Sequence, residues 1–405
     1  MNTILSEQEY KEKMNELYAA KNYAACLELY KDFYKQYPGN MALNFKCCWS
    51  LYHKELKTYN GEQYSLEKFK QQVNFIIDHV EDKGNMLVWC AVKKLLEVLD
   101  DQVKCGRLKP EVALAVKNTY LDRVDYQGLS GEEWENKAAG RMMASPREEW
   151  FSQKTKVLQK SNRWQELIDY CDQALQLVPR CHNNNDSWFT YRKAIAKYQL
   201  QELEEAAQLV QEIFKTGFKH WCFNQLLFNI YVASNKEDQA TRQLCLAALA
   251  DSHHEMRVSL YDEYVQLLLR QDALAMAALH RRLVTLLRQE NNWTEKKYGD
   301  QLEISAEVQA LSKKEVLEKL TCFWQENITR GQEVLTGTIA RILVENKTGF
   351  IKADASGADY YFSSRDFLTR VKEFNVGQKV SFVLEERFDK KQQENKENAV
   401  QISLL

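Results

Sequence analysis

The sequence predicts a mainly α-helical protein that carries a small all-β domain at its C-terminal end. Only 4 prolines and 14 glycines occur among the 405 residues, and this scarcity favours long helices with few interruptions. Through most of the chain, apolar residues recur three or four positions apart, which is the spacing of amphipathic helices. After Gly331 the pattern changes to short runs rich in β-branched and aromatic residues, separated by Asn, Gly, Asp and Ser. We therefore expect helices up to residue 325 and strands within residues 331–405.

Two of the helical segments share one arrangement. Asn22–Pro38 and Arg163–Pro179 each place an aromatic residue, Tyr23 or Trp164, fifteen positions before a proline. Between the aromatic residue and the proline, the apolar residues fall on one face of a helix. Because proline cannot continue a helix, each segment predicts a helix that ends just before it.

These segments resemble the second helix of a tetratricopeptide repeat, which has an aromatic entry, a small residue at mid-helix and a closing proline. The match runs from Trp164 to Ala250, and Ala206 lies 34 residues before Ala240, which is the period of that family. It departs from the family at the glycine of the first helix, which is Arg192 in one unit and Phe228 in the next. The other positions that fit the repeat helices are Trp188, Tyr191, Ile195, Leu203, Val210, Ile213, Leu227, Tyr231, Leu244 and Ala247.

The resemblance implies a helical solenoid whose concave face binds a peptide or protein. A generic helical solenoid or bundle is the alternative, because residues 41–150 do not fall into the repeat register. Residues 127–150 concentrate glycine, serine and proline and predict a loop or linker. The expected organisation is thus a helical block at 1–126, the linker at 127–150, a second helical array at 151–325 and the β domain at 331–405.

The β domain follows a predicted helix, Leu311–Asn327, for which Ser312 is the expected N-cap. Five runs of strand-like residues follow, and five strands within about 75 residues suit a small Greek-key barrel of the OB type. We expect this domain to form such a five-stranded barrel.

The same segment resembles the cold-shock domain. Gly337–Ile351 reads GTIARILVENKTGFI, against the family opening G-x-V-K-W-F-x-x-x-K-G-F-G-F-I. DYYFSS then falls where the family has D-V-F-V-H-x-S, GQKVSF reproduces G-Q-x-V-x-F, and ENAVQISLL resembles its closing strand. The resemblance covers residues 333–405 and implies a barrel that stacks the bases of single-stranded nucleic acid on aromatic side chains of adjacent strands.

Compared position by position with that family, the stacking surface is thinned. Phe350 and Tyr361 stand at two stacking positions, whereas Arg341 replaces the tryptophan of the first strand. Thr348 replaces one phenylalanine and Ser363 replaces the histidine. A guanidinium can lie on a base or contact a phosphate, so we expect a weakened surface on which Arg341 still takes part.

Three further basic residues, Lys347, Lys352 and Arg365, are expected to contact phosphates. Because side chains alternate between the two faces of a strand, Tyr360 and Phe362 should point into the barrel. Residues 387–400, rich in charge, are expected to form a solvated hairpin loop.

The sequence offers no recognisable catalytic site. A phosphate-binding G-x-x-x-x-G-K-[ST], a His-Glu-x-x-His and a G-x-S-x-G are all missing. The ten cysteines include no Cys-x-x-Cys pair, and His253, His254 and Glu255 are neighbours that would point in different directions from a helix. We therefore expect no enzyme activity, no metal and no cofactor.

A net charge of -2 gives no global attraction for nucleic acid, so any such contact must come from a local patch. No apolar run approaches the roughly 20 residues that span a bilayer, and we expect a cytoplasmic protein with no membrane contact. The expected function is that of a non-catalytic adaptor, which binds a protein on its helical array and single-stranded RNA or DNA weakly on its barrel. The alternatives are a pure protein-interaction scaffold and an accessory subunit of a nucleic-acid-processing or defence complex.

Overall fold

The chain is described from a computed structural model, which covers residues 5–61, 65–136, 140–250, 253–294, 304–344, 347–369, 371, 373–389 and 394–405. Within these ranges it is mostly helical and ends in a five-stranded sheet. It divides into two compact units, Met1–Leu209 and Val210–Leu405.

Sixteen α-helices occur in the described ranges. Those that begin in the first unit are α1 (Glu7–Ala19), α2 (Tyr23–Gln36), α3 (Asn44–Leu51), α4 (Leu66–His79), α5 (Met86–Lys104), α6 (Pro110–Leu121), α7 (Pro146–Lys160), α8 (Trp164–Leu177), α9 (Asn185–Gln199) and α10 (Leu203–Lys215). The others are α11 (Trp221–Ala233), α12 (Glu237–Leu249), α13 (Val258–Arg270), α14 (Leu274–Glu290), α15 (Ala306–Ala310) and α16 (Lys313–Thr329).

The helix ends that the sequence predicted from proline and from capping residues are confirmed. Helix α2 begins at Tyr23 and α8 at Trp164, and each ends two residues before its proline. Ser312 caps α16: its side chain accepts a hydrogen bond from the backbone N–H of Glu315, whose carboxylate in turn accepts from the backbone N–H of Ser312. This reciprocal arrangement satisfies two backbone donors that would otherwise lack partners.

Residues 127–150, which the sequence predicts as a linker, hold two short paired strands. These are β1 (Trp134–Asn136) and β2 (Arg141–Met143), and residues 137–139 between them lie outside the described ranges. Helix α7 begins before the segment ends, and Trp150 on it is buried and stacks on Tyr126 with the ring centroids 4.5 Å apart. The end of this segment therefore belongs to the core of the first unit.

The two alanines that set the 34-residue spacing are both fully buried, Ala206 in α10 and Ala240 in α12. Small residues at such positions let neighbouring helices approach closely. Arg192, which stands where a glycine was expected, is buried in α9 with its guanidinium 5.8 Å from the ring centroid of Phe189. Its Nη1 donates to Thr155 Oγ1 at 3.4 Å, so a buried cation fills space that glycine would leave open.

The helical core of the second unit contains a cluster of buried aromatic and histidine side chains. Trp324 of α16 stacks on Tyr261 of α13, with the centroids 5.9 Å apart. The Nε1–H of Trp324 donates to Nε2 of His280 at 3.0 Å, and Nδ1–H of His280 donates to the carbonyl of Met276 at 2.8 Å. These bonds fix His280 as the neutral ring with its proton on Nδ1. Burial lowers the pKa of His280 to about 4.

The C-terminal sheet is built from β3 (Leu335–Val344), β4 (Thr348–Ala353), β5 (Asp359–Ser363), β6 (Lys379–Asp389) and β7 (Glu394–Leu404). The strand order is β3-β4-β5-β7-β6, and β3 also pairs with β6, so the sheet closes on itself. All pairs are antiparallel except β5 with β7, which meet in parallel where Tyr361 faces Asn398. The interior is apolar, and its fully buried residues are Ile339, Ile351, Phe362, Val380, Phe382, Ala399 and Ile402.

The C-terminal sheet is docked on the helices of the same unit. Leu368, just after β5, packs against the helical core. The Nζ of Lys219, in the turn between α10 and α11, donates to the backbone carbonyl of Arg365 at 2.9 Å. Both an apolar and a polar contact therefore join the sheet to the helices.

Candidate nucleic-acid interface

Three of the predicted site residues form a row across neighbouring strands of the C-terminal sheet. In the strand register Arg341 of β3 faces Phe350 of β4, and Phe350 faces Tyr361 of β5. The rings of Phe350 and Tyr361 meet edge to face, with the centroids 5.8 Å apart. We call these three residues the stacking row.

The stacking row depends on a bulge in β3. Ile339 points into the core opposite Ile351, and in a regular strand Arg341, two positions further on, would point inward as well. The register shifts between Ile339 and Arg341, so two steps on β3 match one step on β4. Such a bulge reverses the alternation, and Arg341 is exposed on the same face as Phe350.

Gly349 makes the close approach of β3 and β4 possible beneath the row. A Cβ atom at this position would lie 2.4 Å from the carbonyl oxygen of Arg341 and 2.9 Å from Cε1 of Phe362. Neither contact is tolerable, and one of them is with backbone that cannot move aside easily. Only glycine fits here, and Phe362 fills the space beneath it as part of the core.

The two rings of the row differ in how open they are. The guanidinium carbon of Arg341 lies 4.7 Å from the ring centroid of Phe350, so this cation already covers one face of that ring. Tyr361 is 38% exposed, whereas Phe350 is half-buried. Tyr361 and the outer face of the Arg341 guanidinium are therefore the most open planar surfaces of the row.

The other predicted site residues lie around the row in different situations. Lys352 follows Phe350 on the same face and stands opposite Asp359, whose charge offsets its own. Lys347 is exposed in the turn just before β4. Ser363 Oγ accepts from the backbone N–H of Arg365, and the backbone N–H of Ser363 donates to Asp366, so this serine caps the short turn that follows β5.

Several neighbours of the row were not predicted from the sequence. Asn398 of β7 faces Tyr361, and Glu385 of β6 faces Asn398, which extends the row by one amide and one carboxylate. Arg387 donates to Glu385 Oε2 at 2.7 Å and to the buried Asp366 at 2.9 Å. Asn398, Glu385 and Arg387 come from β6 and β7, and no local pattern in the sequence places those strands beside β5.

The expectation that residues 387–400 form a loop is wrong for most of that segment. Strand β6 continues to Asp389 and β7 begins at Glu394, so the paired ribbon reaches further than predicted, and residues 390–393 lie outside the described ranges. The backbone groups of this ribbon are paired, from Arg387 opposite Lys396 to Asp389 opposite Glu394.

Comparison with known proteins gives no family assignment: neither a protein-family model nor a curated protein sequence matches this chain. None of the described helices combines the length and apolar character needed to cross a membrane. The described residues also bring together no group of three or more His, Cys, Asp or Glu side chains suited to a metal ion.

Proposed function

We propose that this protein is a non-catalytic adaptor, which holds single-stranded nucleic acid weakly on its C-terminal sheet and a protein partner on its helical array. The observation that carries the proposal is the stacking row, Arg341, Phe350 and Tyr361, on one outward face of three adjacent strands. The closed strand order β3-β4-β5-β7-β6 supports an OB-type barrel of the cold-shock kind as the platform. The cytoplasmic location stays a prediction from the sequence.

The expected affinity is low because few groups remain to stack. Stacking on an aromatic side chain contributes about 1–3 kcal/mol per base. A micromolar complex requires about 8 kcal/mol. With Tyr361 open and Phe350 partly covered by Arg341, stacking alone falls short of that value. Phosphate contacts or a second bound protein must therefore supply the rest.

The partner side of the proposal is supported by exposed apolar residues on the first unit. Tyr34 of α2 and Phe45 of α3 are both nearly half exposed, and Met41 between the two helices is equally open. Phe45 also contacts Trp49 edge to face, with the centroids 6.5 Å apart. Exposed large apolar side chains on adjacent helices are typical of a protein contact surface.

A second candidate is the pure scaffold, in which the C-terminal sheet contacts protein instead of nucleic acid. Leu343 and Val344 favour it, because both are about half exposed at the end of β3. A hydrophobic strand end of this kind suits a protein surface better than a phosphate backbone. Under this candidate, or the accessory-subunit one, binding partners would be polypeptides.

The experiment that tests the adaptor proposal is fluorescence anisotropy of labelled oligo-U and oligo-dT with the full chain, at low and at higher salt. Phe350→Ala and Tyr361→Ala are the site variants. Tyr34→Ala is the matched control, since it removes a similarly exposed ring from the first unit.

We expect saturable binding that weakens with salt, a loss of about 1–3 kcal/mol with Tyr361→Ala, a smaller loss with Phe350→Ala and no change with the control. If the wild-type chain shows no saturable binding even at low salt, the nucleic-acid proposal is wrong and the scaffold takes its place.

A further inference from the structure

Two cations from distant parts of the chain lie side by side where the C-terminal sheet meets the helices. The Nζ of Lys219 donates to the carbonyl of Arg365 at 2.9 Å, although the two residues are 146 positions apart. Gly217, with φ +82°, brings the same turn so close that a Cβ there would lie 2.9 Å from Nη1 of Arg365. Both basic residues are exposed.

The carboxylates of this region are already engaged by another residue. Arg387 forms ion pairs with Asp366 and with Glu385. Asp366 also accepts a hydrogen bond from the backbone N–H of Ser363 at 2.8 Å. Within the part of the chain that the structure describes, neither Lys219 nor Arg365 forms an ion pair with a carboxylate. The three basic residues, Lys219, Arg365 and Arg387, and the two carboxylates, Asp366 and Glu385, together carry one net positive charge.

Two neighbouring cations with no counter-ion of their own make a site that favours an anion. The hydrogen bond to the carbonyl of Arg365 holds Lys219 in place and leaves two of its three N–H donors for another acceptor. The pKa of Lys219 is lowered because protein atoms crowd its ammonium group, although part of the side chain stays exposed; the charges of Arg387 and Arg365 act in the same direction, against Asp366 and Glu385. An anion bound between Lys219 and Arg365 would relieve the repulsion between them.

This pair of cations lies beside the stacking row. Arg365 lies two residues after the end of β5, the strand that carries Tyr361. On the other side, Asn398 of β7 faces Tyr361 and Glu385 of β6 faces Asn398, and Glu385 binds Arg387. The backbone N–H of Ser364 donates to the carbonyl of Lys347 at 2.6 Å, which brings a third exposed basic residue to the same end of the sheet.

We propose that Lys219 and Arg365 together bind a backbone phosphate of the single-stranded nucleic acid whose bases meet the stacking row. The inference rests on the proposed function and extends it, because it makes the turn between α10 and α11 part of the nucleic-acid site. The sheet alone is then an incomplete site, and the helical part of the second unit completes it.

The test measures how the binding of labelled oligo-dT and oligo-U to the full chain depends on salt. Each phosphate contact to a single strand contributes about 0.7 to the slope of log K against log salt. Lys219→Gln removes the charge, Lys219→Arg keeps it, and Lys314→Gln is the control, since Lys314 is an exposed lysine at the opposite end of α16 from the sheet. Thermal unfolding of each variant checks that the fold is kept.

With Lys219→Gln we expect the slope to shrink by about 0.7, so that a fourfold rise in salt weakens binding about 2.6-fold less than in the wild type. Lys219→Arg should keep the wild-type slope, and Lys314→Gln should not change it. An unchanged slope in Lys219→Gln overturns the inference, even if the affinity falls. A lower affinity with the same slope would mean that the contact between the turn and the sheet had loosened, and that no phosphate contact had been lost.

The two proposals fail in different ways. If Tyr361→Ala weakens binding while Lys219→Gln leaves the slope unchanged, the stacking row stands and only the phosphate site is wrong. If the wild-type chain does not bind either oligonucleotide, both proposals are wrong.

Discussion

Because His280 is buried in its neutral form, we predict that the second unit loses stability as the pH falls below about 6.5. Its ring is fully buried, and both nitrogens are used in the neutral form, with Nδ1–H donating to Met276 and Nε2 accepting from Trp324. Protonation would place a second proton on Nε2, where it would meet an N–H donor. The rings of Tyr261 and Tyr264 pack around it and carry no charge that would compensate.

The size of the effect follows from the two pKa values. The pKa is 6.5 in the unfolded chain and about 4 in the folded one. Between these two pH values the unfolded state binds a proton that the folded state does not. The free energy of unfolding therefore decreases as the pH decreases. The fall is about 1.4 kcal/mol per pH unit and about 3 kcal/mol in total, whereas above pH 6.5 His280 adds no pH dependence.

Urea unfolding of the wild type and of His280→Gln, followed across this pH range, isolates the contribution of the histidine. The difference between the two free energies should change with the predicted slope, because the other titrating groups are common to both proteins. Equal pH dependence in the two proteins would refute the reasoning. So would an imidazole pKa near 6.5 for His280, measured by NMR in the folded wild type, and that measurement does not depend on the variant folding.

Three more predictions concern the sheet and its preceding helix. Gly349→Ala should lower the free energy of unfolding of the second unit by about 1–3 kcal/mol in a urea titration, because its Cβ would overlap the carbonyl of Arg341; an unchanged midpoint would contradict this. Ser312→Ala should cost about 0.5–2 kcal/mol by the same measurement, and Ser305→Ala, which uncaps only a five-residue helix, should cost less; equal costs would argue against the capping explanation. Arg341→Ala should weaken oligo-dT binding by about 0.5–1 kcal/mol, since a base above the guanidinium loses its contact; unchanged or tighter binding would mean that Arg341 only shields Phe350.

Local signals in the sequence were enough to predict individual helices and strands. Proline marked the ends of α2 and α8, and Ser312 marked the start of α16. Period-two alternation placed Phe362 inside the sheet and Tyr361 outside it. Each of these features depends on residues within a few positions of one another, which is the range over which a pattern can be read.

The features that were missed depend on residues far apart or on strands without an apolar face. The contact of Lys219 with Arg365 joins positions 146 residues apart, and no local pattern reports it. The paired ribbon at Arg387 carries mostly polar residues on its exposed end, so hydrophobic alternation gave no sign of a strand. Arg341 can lie over the ring of Phe350 only because of the bulge in β3. A bulge moves a side chain to the opposite face of a strand, and the amino-acid composition of the strand does not show where one occurs.

The position of β7 in the sheet has a consequence for synthesis on the ribosome. This strand is the last of the five in sequence, yet it lies between β5 and β6 in the sheet. Until it emerges, both of those strands present unpaired backbone edges, and such edges invite pairing with other chains. A nascent chain that stalls before residue 394, or a transcript with an early stop codon there, would release a protein with two open edges at once.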